Sequence, residues 1–147
     1  MKLQLHDNEG ALISDNTDWL YNAPGPQPDL AYAPLRALAP ARVSAHAEAR
    51  RRDEGETIVD LTLRNRGDVI AFQVRIQLLT GHADERLTPL FLTDNYLTLL
   101  PGETRTVQAR FREPDRKRTR LRITGWNTVL KDSGHIPIRW DDDHDRR

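Results

Sequence analysis

Thr93-Asp94-Asn95-Tyr96-Leu97-Thr98-Leu99-Leu100-Pro101-Gly102-Glu103-Thr104 reads as a polar corner, a short strand and a tight turn. Pro101-Gly102 suits positions i+1 and i+2 of a type II turn, where proline sets φ and glycine accepts the left-handed geometry. Asx side chains such as those of Asp94 and Asn95 bond to nearby backbone, and a tyrosine hydroxyl can pin the corner of a β-sandwich. Two flanking segments extend the pattern. Leu61–Phe72 holds a strand end, the turn Asn65-Arg66-Gly67-Asp68, which offers a glycine for positive φ, and the start of a second strand. Ile123-Thr124-Gly125-Trp126-Asn127 closes a further strand.

The strongest periodicity along the chain is two. Val59, Leu61 and Leu63 alternate with Asp60, Thr62 and Arg64, and Phe72, Val74, Ile76 and Leu78 with Gln73, Arg75 and Gln77. Val107, Ala109 and Phe111 alternate with Gln108, Arg110 and Arg112, and Leu121 and Ile123 with Arg120, Arg122 and Thr124. Successive strand side chains point to opposite faces, so each segment has one dry and one wet face. That predicts antiparallel sheets packed on one side rather than a parallel sheet buried on both. Gly81–Glu85 and Asp7–Gly10 supply further hairpin tips, the latter between strands near Leu3–His6 and Ala11–Asp15. The fold class expected is all-β, an immunoglobulin-like antiparallel β-sandwich of about seven strands. Pro24, Pro26 and Pro28 exclude residues 22–28 from a central strand, and a short turn is expected around Tyr32–Leu38. Ala45–Arg52 has helix-forming composition, but Val43 and the strand that follows favour a strand ending near Ala49. The sandwich is placed at residues 1–130. Residues 131–147 form a partly disordered extension, with Ile136–Trp140 an edge strand or an arm.

The 147 residues suffice for one core, with 37% hydrophobic and 30% charged residues. Basic and acidic residues balance at 22 each, so no global attraction to nucleic acid or an anionic membrane is expected. No apolar run approaches the roughly 18–20 residues that span a bilayer. Met1–Asp7 has no apolar signal core, and the compartment stays open. The absence of cysteine excludes disulfides, zinc thiolates and thiol nucleophiles.

Taken in order, the opening Leu5–Gly10 with Ser14-Asp15-Asn16 and Trp19, the connector Tyr32–Leu38, the Asn-x-Gly-Asp turn, Ala71-Phe72, Asp94-Asn95-Tyr96 with Pro101-Gly102-Glu103, and Gly125-Trp126-Asn127 carry a resemblance. They resemble the C-terminal immunoglobulin-like domain of glycoside hydrolase family 2 enzymes of the exo-β-D-glucosaminidase and β-mannosidase type. The resemblance runs from about Gln4 to Asn127. It implies a non-catalytic accessory domain partnered by the catalytic (β/α)₈ barrel of a parent glycosidase. The acid/base and nucleophile carboxylates would lie on that barrel, in a parent that is periplasmic or secreted. No catalytic residue, cofactor or metal ligand carries over to this chain.

A glycosidase places two carboxyl groups across the scissile bond. Here Asp68, Asp84, Glu85, Glu103, Glu113 and Asp115 fall in turns and tails, where carboxylates solvate or cap. The candidates for contact with a neighbouring domain or a polysaccharide are Asp94, Asn95, Tyr96, Trp126, Asn127 and Trp140. Among the tryptophans, Trp140 is expected to be the exposed one, since it sits between Arg139 and an acidic tail. Trp19, Tyr21 and Tyr32 are further aromatic candidates, with packing as the alternative. Seven basic residues lie from Arg110 to Arg122, but with Glu113 and Asp115 interrupting and no interleaved aromatic they read as a solvated sheet face, not a nucleic-acid site. The five histidines lack paired metal spacing. A stand-alone carbohydrate-binding or protein-interaction module is the alternative function.

Overall fold

The computed structural model describes residues 1–18, 33–52, 55–81, 85–112, 118–130 and 134–140. Trp19, Tyr21, Tyr32, Asp84, Glu113, Asp115 and the acidic tail lie outside them. The chain forms two compact units, Met1–Leu38 and Ala39–Arg147.

The first unit holds a hairpin, β1 (Lys2–His6) and β2 (Leu12–Thr17), and the single helical turn α1 (Ala33–Arg36). The expected tip at Asp7–Gly10 closes on an Asx side chain: Asp7 Oδ1 accepts from the backbone N–H of Glu9 at 2.9 Å and of Ala11 at 2.7 Å. Leu3 pairs with Asn16 and Leu5 with Ser14.

The second unit is the sandwich. Its back sheet is built on β3 (Ala41–Arg51), β4 (Glu56–Asn65) and β9 (Thr104–Arg112), an antiparallel ladder of long strands, with β7 (Leu90–Leu92) beyond β9. The front sheet pairs β5 (Ala71–Thr80) with β10 (Arg120–Thr124), while β6 (Glu85–Arg86) and β8 (Leu97–Leu99) lie against the other margin of β5. The chain then runs along the flank between the sheets. β11 (Thr128–Val129) and β13 (Ile138–Trp140) pair in parallel with β3, and β12 (His135–Ile136), between them, pairs with β10 of the front sheet.

The alternation seen in the sequence maps onto this core. Val59, Leu61 and Leu63 of β4 face Val74, Ile76 and Leu78 of β5, with Val107, Leu121 and Ile123 completing one buried cluster. Burying each such side chain contributes about 1.5–3 kcal/mol. Val43 and its neighbours form a strand rather than a helix, and it runs to Arg51, two residues past the expected end.

Two expectations need correction. Phe72 is outside the inter-sheet cluster, and Ala71 takes the inward place. The cause is a bulge: the β5–β8 register shifts between Ala71 and Val74, and Gln73 adopts φ 53°. An extra residue in one strand reverses which side chains face inward. Gly67 does not take the positive φ expected of its turn. The turn is held instead by the Asn65 side chain, whose Oδ1 accepts from Gly67 N–H at 3.0 Å. Pro101-Gly102 forms the turn expected, with Gly102 at φ 74° and Glu103 N–H donating to Leu100 C=O at 3.0 Å.

Candidate functional site

Asn95 opens into a gap in strand pairing. β5 meets β8 at Ala71 and Val74 and meets β6 at Leu79 and Thr80, which leaves Ile76 between them. The Asn95 carboxamide fills that place: Oδ1 accepts from Ile76 N–H at 2.8 Å and Nδ2 donates to Ile76 C=O at 3.1 Å. One side chain thereby stands in for a residue of a neighbouring strand. Asp94 Oδ1 accepts from Asn95 N–H at 2.7 Å, and its carboxylate lies 3.7 Å from Arg105. These contacts hold Tyr96 at φ 55°, a left-handed conformation uncommon outside glycine and asparagine. Tyr96 is 52% exposed and engaged through its ring, with the Arg75 guanidinium 5.7 Å from the ring centre.

Asn127 performs the same service at the far end of β5. Its Oδ1 accepts from Phe72 N–H at 2.9 Å, and its Nδ2 donates to Ile70 C=O and Ala39 C=O, both at 2.8 Å. Its own carbonyl accepts from Ala41 N–H at 2.7 Å, and Trp126 N–H donates to Phe72 C=O at 2.9 Å. Gly125 is required beside it, because a Cβ there would fall 1.7 Å from Thr128 Oγ1. With the backbone so fixed, the Trp126 ring stands out from the sheet, 59% exposed, meeting Phe72 edge to face at 6.5 Å.

Of the six candidates, the structure brings Tyr96 and Trp126 to the outer side of the front sheet, at levels three residues apart along β5. Asn95 and Asn127 turn inward to backbone, and Asp94 joins Arg105. Trp140 is elsewhere. As the last residue of β13 it pairs with Ala49 and packs half-buried against the core, which corrects the expectation that it is the exposed tryptophan. A parallel pairing with β3 explains this, because Ala49 faces inward and carries Trp140 with it. Sequence reasoning missed Arg75 and Phe72 as members of the outer cluster. Arg75 was legible as a wet-face residue. Phe72 was not, since nothing in the alternation marks the bulge at Gln73.

The run of basic residues splits. Arg110 and Arg112 belong to β9 in the back sheet, whereas Arg120 and Arg122 belong to β10 in the front sheet. Two carboxylates of the back sheet are engaged locally. Glu48 and Asp60 are directly opposed on β3 and β4, and each has a partner: His46 lies 3.0 Å from Glu48, while Arg50 and Gln108 bond Asp60, Gln108 at 2.9 Å. Glu103 caps its own turn, accepting from Leu100 N–H at 2.8 Å. Among the described residues no three His, Cys, Asp or Glu side chains gather in a way that could hold a metal ion. No described helix is long and apolar enough to cross a membrane.

The geometry is that of an all-β, immunoglobulin-like sandwich whose connecting loops are pinned by side-chain amides. Residues 20–128 match the family described as the exo-β-D-glucosaminidase Ig-fold domain, and the chain belongs to that family. An exo-β-D-glucosaminidase of Amycolatopsis orientalis is 34% identical over 116 residues, which cover 76% of this chain and 11% of that protein. One from Arthroderma benhamiae is 28% identical over 145 residues, covering 89% of this chain and 16% of the relative. The crystal structure of the Amycolatopsis orientalis exo-chitosanase CsxA superposes with a TM-score of 0.70 at 30% identity, covering 91% of this chain and 17% of that one. The chain therefore spans only a small part of the length of the relatives it matches.

Proposed function

We propose that this chain is a non-catalytic accessory domain of a family 2 glycoside hydrolase of the exo-β-D-glucosaminidase or β-mannosidase kind, packing against and stabilising the catalytic barrel. The observation that carries the reading is the match over residues 20–128 to a domain family found within much longer hydrolases. The local engagement of Glu48, Asp60, Asp94 and Glu103 supports it. Glu48 and Asp60 face each other across β3 and β4 but are each bonded to a neighbouring side chain, and Asp94 and Glu103 are held by Arg105 and turn backbone, whereas glycoside hydrolysis needs a pair of carboxyl groups free to flank the scissile bond. A stand-alone carbohydrate-binding module is the second reading, favoured by the exposed rings of Trp126 and Tyr96.

The test is the size and activity of the native polypeptide. An immunoblot of source-cell extract and medium is expected to show a band several-fold larger than 16.9 kDa. Deleting the domain from that polypeptide should lower its thermal stability while leaving the catalytic carboxylates in place. A band at the chain's own size, together with calorimetric binding to chitosan or mannan, would replace this reading with the second.

A further inference from the structure

The two outer faces of the sandwich differ in how their charges are satisfied. On the back sheet the carboxylates of Glu48 and Asp60 are met by His46, by Arg50 and by the Gln108 amide. On the front sheet, strands β5, β8, β10 and β12 contain no acidic residue, and its one acid in a described strand, Glu85, lies on the marginal β6. Their outward positions carry Arg75, Arg120 and Arg122 beside Gln77 and His135. Arg122 stands between Gln77 and His135 in register, and its Nε is buried without an acceptor. A buried donor with no acceptor costs free energy unless an approaching partner lets the side chain rearrange.

The same face holds the aromatic cluster. Phe72 and Trp126 meet at one end, and Tyr96 lies under Arg75 a few residues along β5. Exposed tryptophan, tyrosine and arginine are the residues most enriched at the energetic centre of protein interfaces. They are also held rigid here by Asn95 and Asn127, so seating a partner on them costs little ordering entropy. Phe91, 63% exposed on the opposite sheet, stands singly, and lone exposed apolar residues are ordinary.

We propose that the outer face of the front sheet, from Trp126 and Phe72 to Tyr96, Arg75 and Arg122, is the docking surface for the remainder of the longer polypeptide. The surface it meets presents an apolar centre for the rings and carboxylates for the arginines. The occupant follows from the small share of its relatives' length that this chain covers, and the arginine excess of this face sets the chemistry it meets. The inference rests on the accessory-domain reading.

Hydroxyl-radical footprinting of the native polypeptide against the 147-residue chain separates the two. Trp126 and Tyr96 should be oxidised several-fold more slowly in the native polypeptide, with Phe91 unchanged. The double substitution Arg75→Glu and Arg122→Glu, both at half-buried positions, should restore oxidation of Trp126 in the native polypeptide. Protection of Phe91 with Trp126 still reactive would overturn the docking face and leave the accessory role intact. A native polypeptide no larger than this chain would overturn both.

Discussion

Asn65, Asn95 and Asn127 show what single side chains contribute here. Each stands in one of the three segments from which the fold is legible, and each satisfies several backbone groups. Asn65 is 0% exposed and donates to Val69 C=O at 2.7 Å and Leu99 C=O at 3.1 Å while accepting from Gly67 N–H. A buried polar group left without its partner costs about 1–3 kcal/mol. Asn65→Ala strands two carbonyls and one N–H, partly rehydrated because the turn is near the surface. The expected loss is about 3 kcal/mol in denaturant unfolding with an unchanged m-value. A loss below about 0.5 kcal/mol, the range of ordinary surface substitutions, would show that the turn holds without its amide. Gly134 has a different constraint: at φ 81° a Cβ would approach Ile123 C=O to 2.0 Å, so the chain passes this point only as glycine.

Among the elements, β5 is the least regular and the most informative. It is paired by β10 along one margin, but along the other it meets two short strands with the Asn95 amide between them. Replacing Asn95 with alanine should therefore act locally. Hydrogen exchange at Ile76 N–H should accelerate well beyond the change at Val74, and global stability should fall by about 1–2 kcal/mol. Equal acceleration across β5 would mean that Asn95 supports the strand as a whole instead of bridging its gap. The same element marks where sequence reading succeeds. Val74, Ile76 and Leu78 follow strict alternation and lie in the core as expected. Phe72 breaks from them because the bulge at Gln73 arises from pairing with β8, through the distant partners Leu97 and Leu99, and leaves no local signature. Trp140 escaped for a related reason. Its neighbours Arg139 and Asp141 suggested exposure, but the register of β13 against β3 decided otherwise. Tyr96 and Trp126 were named as candidates because they stand in the Asp94-Asn95-Tyr96 and Gly125-Trp126-Asn127 stretches that carry the resemblance. Arg75 as the partner of Tyr96 required the fold.

At the scale of the molecule, the segment from Thr128 to Trp140 joins the sheets along one flank, alternating between β3 and β10. A chain truncated after Leu130 loses β12 and β13 and with them the cover of both strands. It should melt at a lower temperature and show mass that rises with concentration in light scattering. A truncated chain that stays monomeric and equally stable would show that this flank is dispensable. The wider consequence concerns contact between copies. Every described strand at a margin of the sandwich, β6, β7, β8, β11, β12 and β13, is only two or three residues long, while the long strands lie inside. A growing fibril needs a continuous row of free N–H and C=O groups to template the next chain. Among the described residues the sandwich margins offer no strand longer than three residues for such templating, so its own edges are poor seeds for aggregation whether it is carried on a large polypeptide or cut from one.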